Sequence, residues 1–367
     1  MDGSGRPKRK YKRRLEMPQQ AAMAPQAPAP EPAQAEFPIE RPWRRQPPRH
    51  TYGAIDLGTN NCRLLVARPS DEGFTVVDAF SRVVRLGEGM ATSGKLSDGA
   101  MDRAVAALGV CAEKLKRRRV GLVRSVATEA CRRAVNGRQF IERVRRETGI
   151  RLEIIAPEEE ARLAMLGCHR LLEPGDGPAL IFDIGGGSTE LVLIDTDGGE
   201  PRIKCWWSAP WGVYSLTESE GRGFATEAER LAAYSRMRER VRHAFARFVD
   251  LLPKSHEDIR LMGTSGTVTT LASVHLALPS YDRRAIDGLM VPTPAMREIS
   301  ATLSRLSHEE RARFPCIGHE RADLVVAGCA ILEAIMDIWP ARTLGVADRG
   351  IREGILRALM ARDGHVI

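Results

Sequence analysis

The stretch FDIGGGSTELVL, residues 182–193, sets three consecutive glycines between two apolar runs, with Asp183 just ahead of them. Apolar runs around a glycine cluster predict two strands joined by a tight turn. Consecutive backbone N–H groups in such a turn form a concavity that binds anions, phosphate above all. Glycine leaves these groups open because a Cβ would block phosphate oxygens, and it also allows the positive φ angles that we expect in part of the turn. The stretch therefore predicts a phosphate-binding hairpin.

The same design occurs earlier in the chain, in AIDLGTNNCRLLV at residues 54–66. Asp56 corresponds to Asp183 at an offset of 127 residues, and both aspartates stand two residues before a glycine. An offset of this size is the length of a domain rather than of a solenoid repeat. Strands and helices alternate after both hairpins, which is typical of the α/β class. We therefore predict two similar α/β domains, over residues 51–173 and 174–360, divided near the sequence PGDGP.

A third glycine-rich turn, MGTSGT at residues 262–267, follows an apolar strand and opens a helix. Backbone N–H groups at a helix N-terminus form a further anion site. No lysine follows these glycines as it would in a Walker loop, and their spacing is not that of a nucleophile elbow. The three turns supply the candidate phosphate-binding residues, which are Gly58, Thr59, Asn60, Asn61, Gly185, Gly186, Gly187, Ser188, Thr189, Gly263, Ser265 and Gly266.

Basic charge is concentrated at the start of the chain. Residues 1–50 hold 11 Lys and Arg against 5 Asp and Glu, so they supply most of the net charge of +8, and they hold 10 of the 22 prolines. Such a segment cannot bury enough apolar surface to fold alone, and we predict a disordered basic tail. It could contact polyanions, nucleic acid or an acidic partner, or it could simply be solvated. The remainder is nearly neutral, which argues against a nucleic-acid-binding function for the whole chain.

Cysteine usage and hydropathy bear on the compartment. The seven cysteines are scattered, and no pair has the C-x-x-C spacing of a zinc site or a redox pair. An odd, scattered set is typical of a reducing compartment. No apolar run reaches the length needed to span a membrane, and no apolar core of a secretory signal follows the basic start. We therefore predict a cytoplasmic protein with no membrane partner.

Further motifs narrow the assignment. They are RLGEG at residues 85–89, ATEACRRAVN at 127–136, EIIAPEEEARLAMLG at 153–167 and ADRGIREG at 347–354. Together with the two hairpins they resemble the exopolyphosphatase / guanosine pentaphosphate phosphohydrolase family of the actin/Hsp70/sugar-kinase superfamily, from Tyr52 to Leu356. The resemblance implies two ribonuclease-H-like (actin-like ATPase) domains with a cleft between them. It also implies Mg²⁺-dependent release of terminal phosphate from inorganic polyphosphate, or of the 5′ γ-phosphate from pppGpp.

The resemblance also assigns roles to particular side chains. The family's catalytic glutamate matches Glu160, and its two site arginines match Arg63 and Arg132. We expect Glu160 to orient and deprotonate the attacking water, and its place in the first turn of a helix should keep it ionised. We expect Mg²⁺ to be bridged through Asp56, Asp183 and Glu190. Acidic residues are also common in first helical turns without any catalytic role, and Arg132 could be an ordinary solvated arginine.

Two other function classes stay open at this point. A superfamily phosphotransferase would need its own acceptor pocket, and the EEEA and RLGEG stretches argue against it. A non-catalytic protein that binds nucleotides or polyanions would keep the glycine turns without needing Glu160. The chain carries Arg349 where the family usually has a small residue, which leaves the choice between polyphosphate and pppGpp open. A homodimer is a further expectation.

Overall fold

The computed structural model describes residues 51–71, 73–172, 175, 177–196, 201–220, 223–253 and 260–365. The predicted tail, residues 1–50, therefore lies outside the described residues, as do Pro174 and Asp176 of the PGDGP sequence. Within the described part of the chain, no helix is both long and apolar enough to cross a membrane.

The described residues form two β-sheets. The strands of the first sheet are β1 (Tyr52–Leu57), β2 (Asn61–Ser70), β3 (Gly73–Val83), β4 (Leu122–Ala127) and β5 (Leu152–Ile154). The strands of the second sheet are β6 (Ala179–Ile184), β7 (Thr189–Asp195), β8 (Arg202–Ala209), β9 (Arg260–Thr264), β10 (Met290–Pro292) and β11 (Thr343–Ala347).

The two sheets repeat one topology. Their spatial orders are β3-β2-β1-β4-β5 and β8-β7-β6-β9-β11, with β10 added at the outer edge of the second sheet. In each sheet the hairpin strand pairs antiparallel with its successor and parallel with a later strand. A parallel pair needs a crossover connection, usually helical, which explains the alternation of strands and helices read from the sequence. The prediction of two ribonuclease-H-like halves is confirmed.

Helices cover the sheets. They are α1 (Met90–Ser93), α2 (Asp98–Arg117), α3 (Glu129–Arg133), α4 (Gly137–Thr148), α5 (Pro157–Cys168), α6 (Val213–Glu220), α7 (Glu227–Val249), α8 (Gly266–His275), α9 (Arg283–Ile286), α10 (Thr293–Arg305), α11 (His308–Ala312), α12 (Gly318–Arg321), α13 (Leu324–Ile338) and α14 (Ile351–Arg362). Local sequence explains two of the helix ends: the Ser97 side chain caps α2, and Gly149 ends α4 with a φ of 75°.

Helices α5 and α14 pack against each other between the two sheets, and two glycines allow their close approach. A Cβ on Gly167 would collide with the Gly350 carbonyl, and a Cβ on Gly354 would collide with that of Leu163. Helix α14 follows the second sheet but packs on β1, whereas α5 follows the first sheet but packs on β7 and β8. This exchange brings the N-terminus of each helix to the same cleft. The domain boundary at residue 173 stays a prediction.

Candidate active site

The two hairpins make the same turn. The Gly58 N–H donates to the Asn61 carbonyl at 2.9 Å, and the Gly185 N–H donates to the Ser188 carbonyl at 2.9 Å. The strand register is also the same, because Asp56 lies opposite Arg63 and Asp183 lies opposite Glu190. The duplicated sequence pattern therefore gives two equivalent loops at the strand ends.

The glycines of the second loop serve close approach rather than unusual backbone angles. None of Gly185, Gly186 and Gly187 has a positive φ, so the expectation of positive φ angles is wrong. A Cβ on Gly186 would lie 3.1 Å from the Thr59 Cβ and 3.2 Å from the Asn60 nitrogen. A Cβ on Gly187 would lie 2.7 Å from the Thr59 Oγ1. Glycine is needed here because the first loop lies directly against the second.

Neighbouring segments bind the carbonyl groups of both loops. At the first loop, the Arg85 N–H donates to the Asn60 carbonyl at 3.0 Å, and the Gly87 N–H donates to the Thr59 carbonyl at 3.0 Å. At the second loop, the N–H groups of Val213 and Tyr214 donate to the carbonyls of Gly185 and Gly186 at 3.0 and 2.8 Å. The RLGEG motif thus has a structural role. With these carbonyls bound, the N–H groups at the loop tips, apart from those of Gly58 and Gly185 that donate within the turns, are left for a ligand in the cleft.

The third turn completes the cleft, although one of its glycines lies elsewhere. Ser265 has a φ of 140°, in a region that side-chain-bearing residues rarely adopt, and its hydroxyl accepts a hydrogen bond from the Val268 N–H at the start of α8. Gly263 lies inside β9, where a Cβ would meet Phe182 at 2.5 Å and Val268 at 2.8 Å. Its glycine is explained by packing between β6 and α8, so the interpretation of Gly263 as a phosphate-binding residue is corrected.

The structure brings most of the predicted site residues together. Those that line the cleft are Asp56, Gly58, Thr59, Asn60, Asn61, Arg63, Glu160, Asp183, Gly185, Gly186, Gly187, Ser188, Glu190, Ser265 and Gly266. Thr189 is fully buried and its hydroxyl donates to the Trp211 carbonyl at 2.8 Å, so it does not face the cleft. The Ser188 hydroxyl faces the cleft but donates to Glu190 at 2.7 Å. Arg132 lies behind the cleft wall, where it contacts Glu160.

Glu160 lies in the first turn of α5, and its side chain is 7% exposed. Arg132 donates to Glu160 at 3.2 Å, to the Ile155 carbonyl at 2.7 Å and to Glu129 at 2.5 Å. Burial raises the pKa of Glu160 well above its usual range, and the nearby charges of Glu190 and Asp56 raise it further, although Arg132 opposes this. The expectation that the helix end alone keeps Glu160 ionised is therefore wrong. In this environment its charge depends on the cations placed around it.

The other cleft carboxyl groups are shifted in the same direction. Burial, followed by the charges of Glu190 and Asp56, raises the pKa of Asp183 to about 8. Burial also raises the pKa of Glu190 to about 7, against hydrogen bonds from Ser188 and Ser208 that lower it. The pKa of Asp56 is raised by burial too, while Arg63 opposes the shift. Four carboxyl groups in one cleft thus repel one another, which is the electrostatic setting of a cation site.

The oxygen atoms that line the cleft suit one mode of Mg²⁺ binding. The Asp56 Oδ1 and the Asn60 Oδ1 are buried and have no hydrogen-bond partner among the described residues. In the same part of the chain, no three Asp, Glu, His or Cys side chains converge closely enough to form a metal cage. Mg²⁺ usually keeps several waters and binds through one or two carboxylates plus substrate phosphates. A site with unpaired carboxylate oxygen and no protein cage therefore suits Mg²⁺ that arrives with a phosphorylated substrate.

Some cleft residues were missed by sequence reasoning. Glu129 lines the cleft beside Gly187 and shares Arg132 with Glu160. It stands in the ATEACRRAVN motif, so the motif is the signal in the sequence that points to it. Glu320 and Arg321 reach the cleft from α12, which begins after a stretch of the chain without a regular apolar pattern. No signal in the sequence points to these two residues.

Comparison with known proteins identifies relatives of this chain. The model of the Ppx/GppA phosphatase family matches residues 65–363. Exopolyphosphatase 2 of Mycobacterium tuberculosis is 32% identical over 323 residues, which cover 83% of this chain and 97% of that protein. A guanosine-5′-triphosphate,3′-diphosphate pyrophosphatase of Aeromonas hydrophila is 30% identical over 319 residues, covering 85% of this chain and 60% of that protein. The crystal structure of the Aquifex aeolicus member of the Ppx/GppA family is 29% identical, with a TM-score of 0.71, covering 87% of this chain and 100% of that chain.

Proposed function

Because the chain belongs to the Ppx/GppA phosphatase family, we propose that it releases the terminal phosphate of inorganic polyphosphate or the 5′ γ-phosphate of pppGpp, with Mg²⁺ as its cofactor. The family assignment made from the motifs is confirmed, and with it the class of phosphoanhydride hydrolase. The observation that carries the proposal is the cleft itself. Three glycine-bearing turns and the buried Glu160 meet there, as a terminal phosphate and its attacking water require.

Phosphate binding is the first task of the cleft. The N–H groups around Asn60, Gly186 and Gly266 can donate to phosphate oxygens from three directions, and Gly266 adds the positive end of α8. Burial lowers the pKa of Arg63, and the charge of Arg352 lowers it further, whereas the carboxylates of Asp56 and Asp183 favour its protonated form. A guanidinium fork matches the spacing of phosphate oxygens. The chain thus offsets phosphate charge from both hairpins.

Glu160 then acts on the attacking water. Its carboxylate faces the cleft, and its hydrogen bond from Arg132 fixes the orientation of the side chain. As the water oxygen bonds to the terminal phosphorus, Glu160 accepts the water proton by general-base catalysis, and the bridging P–O bond breaks so that the shortened substrate leaves with its electron pair. Arg132 does not line the cleft, so we assign it a positioning role on Glu160 rather than direct contact with phosphate.

The cofactor would be held by the aspartates at the two strand ends. Asp56, with its unpaired Oδ1, and Asp183 are the ligands we propose; Glu190 lines the same cleft, but the three carboxylates do not converge as a metal cage within the described residues. When bound, Mg²⁺ would supply charge neutralisation to the phosphate oxygens and to the cleft carboxylates. The Ser188 and Ser208 hydroxyls both donate to the Glu190 Oε1, at 2.7 and 3.0 Å, so this glutamate is already fixed by protein contacts.

Side-by-side measurement of phosphate release tests the proposal. Purified protein is incubated with polyphosphate, pppGpp and ATP, with Mg²⁺ and with EDTA. We expect release from polyphosphate or pppGpp with Mg²⁺ and none with EDTA. Binding of both substrates without release would favour the binding-only alternative. Transfer from ATP to an added acceptor would favour a phosphotransferase. Contacts of the segment 1–50 with polyanions, a homodimer and a cytoplasmic location stay predictions.

A further inference from the structure

Glu129 is a buried carboxylate of the cleft wall that the proposed reaction leaves without a role. It lies in α3 and lines the cleft beside the second phosphate loop. Its side chain packs against that loop, because a Cβ on Gly187 would lie 3.0 Å from the Glu129 Cγ. A carboxylate at this position would repel a bound phosphate group unless a cation of the protein neutralised it.

The guanidinium of Arg132 is that cation, and it binds Glu129 and Glu160 at the same time. Its Nη2 donates to the Glu129 Oε2 at 2.5 Å, whereas its Nη1 donates to the Ile155 carbonyl at 2.7 Å and to the Glu160 Oε2 at 3.2 Å. The side chains of Glu129, Arg132 and Glu160 are 10%, 19% and 7% exposed, so solvent screens these contacts weakly. The two shorter bonds hold the guanidinium, and Glu160 is bound by a group that is already fixed.

The orientation of the Glu160 carboxylate depends on this anchored guanidinium. A planar guanidinium that is held at both Nη groups cannot rotate without breaking a bond, so it presents Nη1 to the Glu160 Oε2 in one direction. The other oxygen, Oε1, accepts no hydrogen bond from the described part of the chain, which leaves it for the attacking water. A displacement of about 1 Å in such a group can cost about 10²-fold in rate. The anchor of Arg132 therefore bears on the rate of the reaction.

We propose that Glu129 is a positioning residue: it holds Arg132, and Arg132 in turn holds the Glu160 carboxylate toward the attacking water. This inference rests on the proposed function, because it assigns Glu129 a part in the same reaction. The water proton still moves to Glu160, and Glu129 neither takes a proton nor bonds to phosphorus. A carboxylate that only repelled phosphate would act on substrate binding, and one that only paired with Arg132 would act on folding.

Two replacements of Glu129 separate the reach of the side chain from its charge. Aspartate keeps the charge but is one methylene too short for the Arg132 Nη2, whereas glutamine keeps the reach and an acceptor oxygen but loses the charge. In steady-state phosphate release with Mg²⁺, we expect Glu129→Asp to lower kcat about tenfold or more, with KM changed by less than about twofold. Glu129→Gln should keep kcat within about threefold of the wild type. The reverse order, with glutamine the slower variant, would show that the charge matters and would refute the positioning role.

The matched control changes the neighbouring arginine of the same helix. Arg133 is exposed, and its Nη1 lies 3.6 Å from the Glu129 Oε1, on the oxygen that Arg132 does not bind. Arg133→Gln therefore leaves the bond between Arg132 and Glu129 in place, and kcat should stay at the wild-type value. A loss of kcat equal to that of Glu129→Asp would assign the effect to the charge of α3 as a whole and would contradict the proposal.

A double-mutant cycle tests whether Glu129 acts through Glu160. In the Glu160→Gln background the base is already absent, so Glu129→Asp should lower kcat further by less than about twofold. Equal factors in the two backgrounds would show that Glu129 acts independently of Glu160. A changed KM with constant kcat would show that Glu129 acts directly on the substrate. Either result would overturn the proposal.

Two measurements without turnover exclude a merely structural effect. Glu129→Asp should bind tripolyphosphate in EDTA with wild-type affinity, and its melting temperature should lie above the assay temperature. If the wild type releases phosphate and Glu160→Gln slows it, but Glu129→Asp does not, this inference alone fails. If the wild type releases no phosphate from polyphosphate or pppGpp, the proposed function fails and this inference fails with it.

Discussion

Replacing Glu160 by glutamine removes one proton acceptor and little else. Glutamine has the same shape, and its carbonyl oxygen can still accept the hydrogen bond that Arg132 donates at 3.2 Å. The amide cannot take a proton from water. General-base catalysis typically contributes about 10²–10⁴-fold. We therefore expect kcat to fall by that factor, about 3–5.5 kcal/mol of barrier, while KM changes little.

The structure also fixes the effect of this substitution on stability. The pKa of Glu160 is higher in the folded protein than in the unfolded chain, because of burial and then the charge of Glu190. Its stabilising contribution is therefore present at low pH and is lost as the pH rises through the folded-state pKa. Ionisation of the buried Glu160 without metal costs free energy that a neutral glutamine does not incur. The melting temperature of Glu160→Gln in EDTA should be equal to or above that of the wild type, so a lower rate cannot be ascribed to unfolding.

The assay is steady-state phosphate release at saturating Mg²⁺, with two neighbours as matched controls. Glu158 is exposed in the same helical turn, and Glu158→Gln should leave kcat unchanged. Glu159 points away from the cleft and binds Arg124 and Arg162, each at 2.6 Å. Glu159→Gln should therefore lower the melting temperature but not kcat. If Glu160→Gln turns over at nearly the wild-type rate, the base is another cleft carboxylate, with Glu190 first in line.

Four further changes have distinct expected results. Asp183→Asn should raise the Mg²⁺ concentration needed for half-maximal activity, measured by metal titration, and equal metal dependence would remove Asp183 from the ligand set. Gly186→Val should weaken substrate binding at least tenfold, because its side chain would meet Thr59 within about 3 Å, whereas unchanged affinity by calorimetry would make the loop a simple turn. In EDTA, the free energy of unfolding should fall as the pH rises from about 4.5 toward 8, because the folded-state pKa values of Glu190 and Asp183 are raised to about 7 and about 8. Thermal melts measure this dependence, and Mg²⁺ should make it weaker. Stability that rises with pH over this range would contradict the reasoning. Deletion of residues 1–48 should leave turnover of short substrates unchanged, because the family match begins at residue 65, and a large loss of rate would show that the segment contributes to the site.

The sequence predicts best what depends on local spacing. Asp183 followed by Gly185 to Gly187 was sufficient to place a turn at a strand end, because apolar runs and glycines act within a few residues. The purpose of the glycines was not predictable in this way. The contact of Gly186 with Thr59 joins residues 127 positions apart, and only the packing of the two sheets brings them together.

The sequence predicts the ionisation of the site residues less well than the turns that carry them. The first helical turn of α5 suggested an ionised Glu160, because the helix dipole is visible in the sequence. Burial and the carboxylates of Glu190 and Asp56 outweigh the dipole, and they come from other strands. The same limit explains the missed Arg321, which reaches the cleft from a four-residue helix.

The duplicated hairpins explain how one cleft can suit both an anion and a cation. The equivalent hairpins keep the aspartate, the turn and the strand register, but the residue opposite the aspartate is Arg63 in one and Glu190 in the other. The backbones thus offer the same N–H groups twice, while the facing side chains carry opposite charges. A phosphate group needs a cation beside it, and a metal ion needs carboxylates beside it. An exact repeat would supply only one of these, so we propose that the divergence at this register position suits one half to the phosphate group and the other to the metal ion.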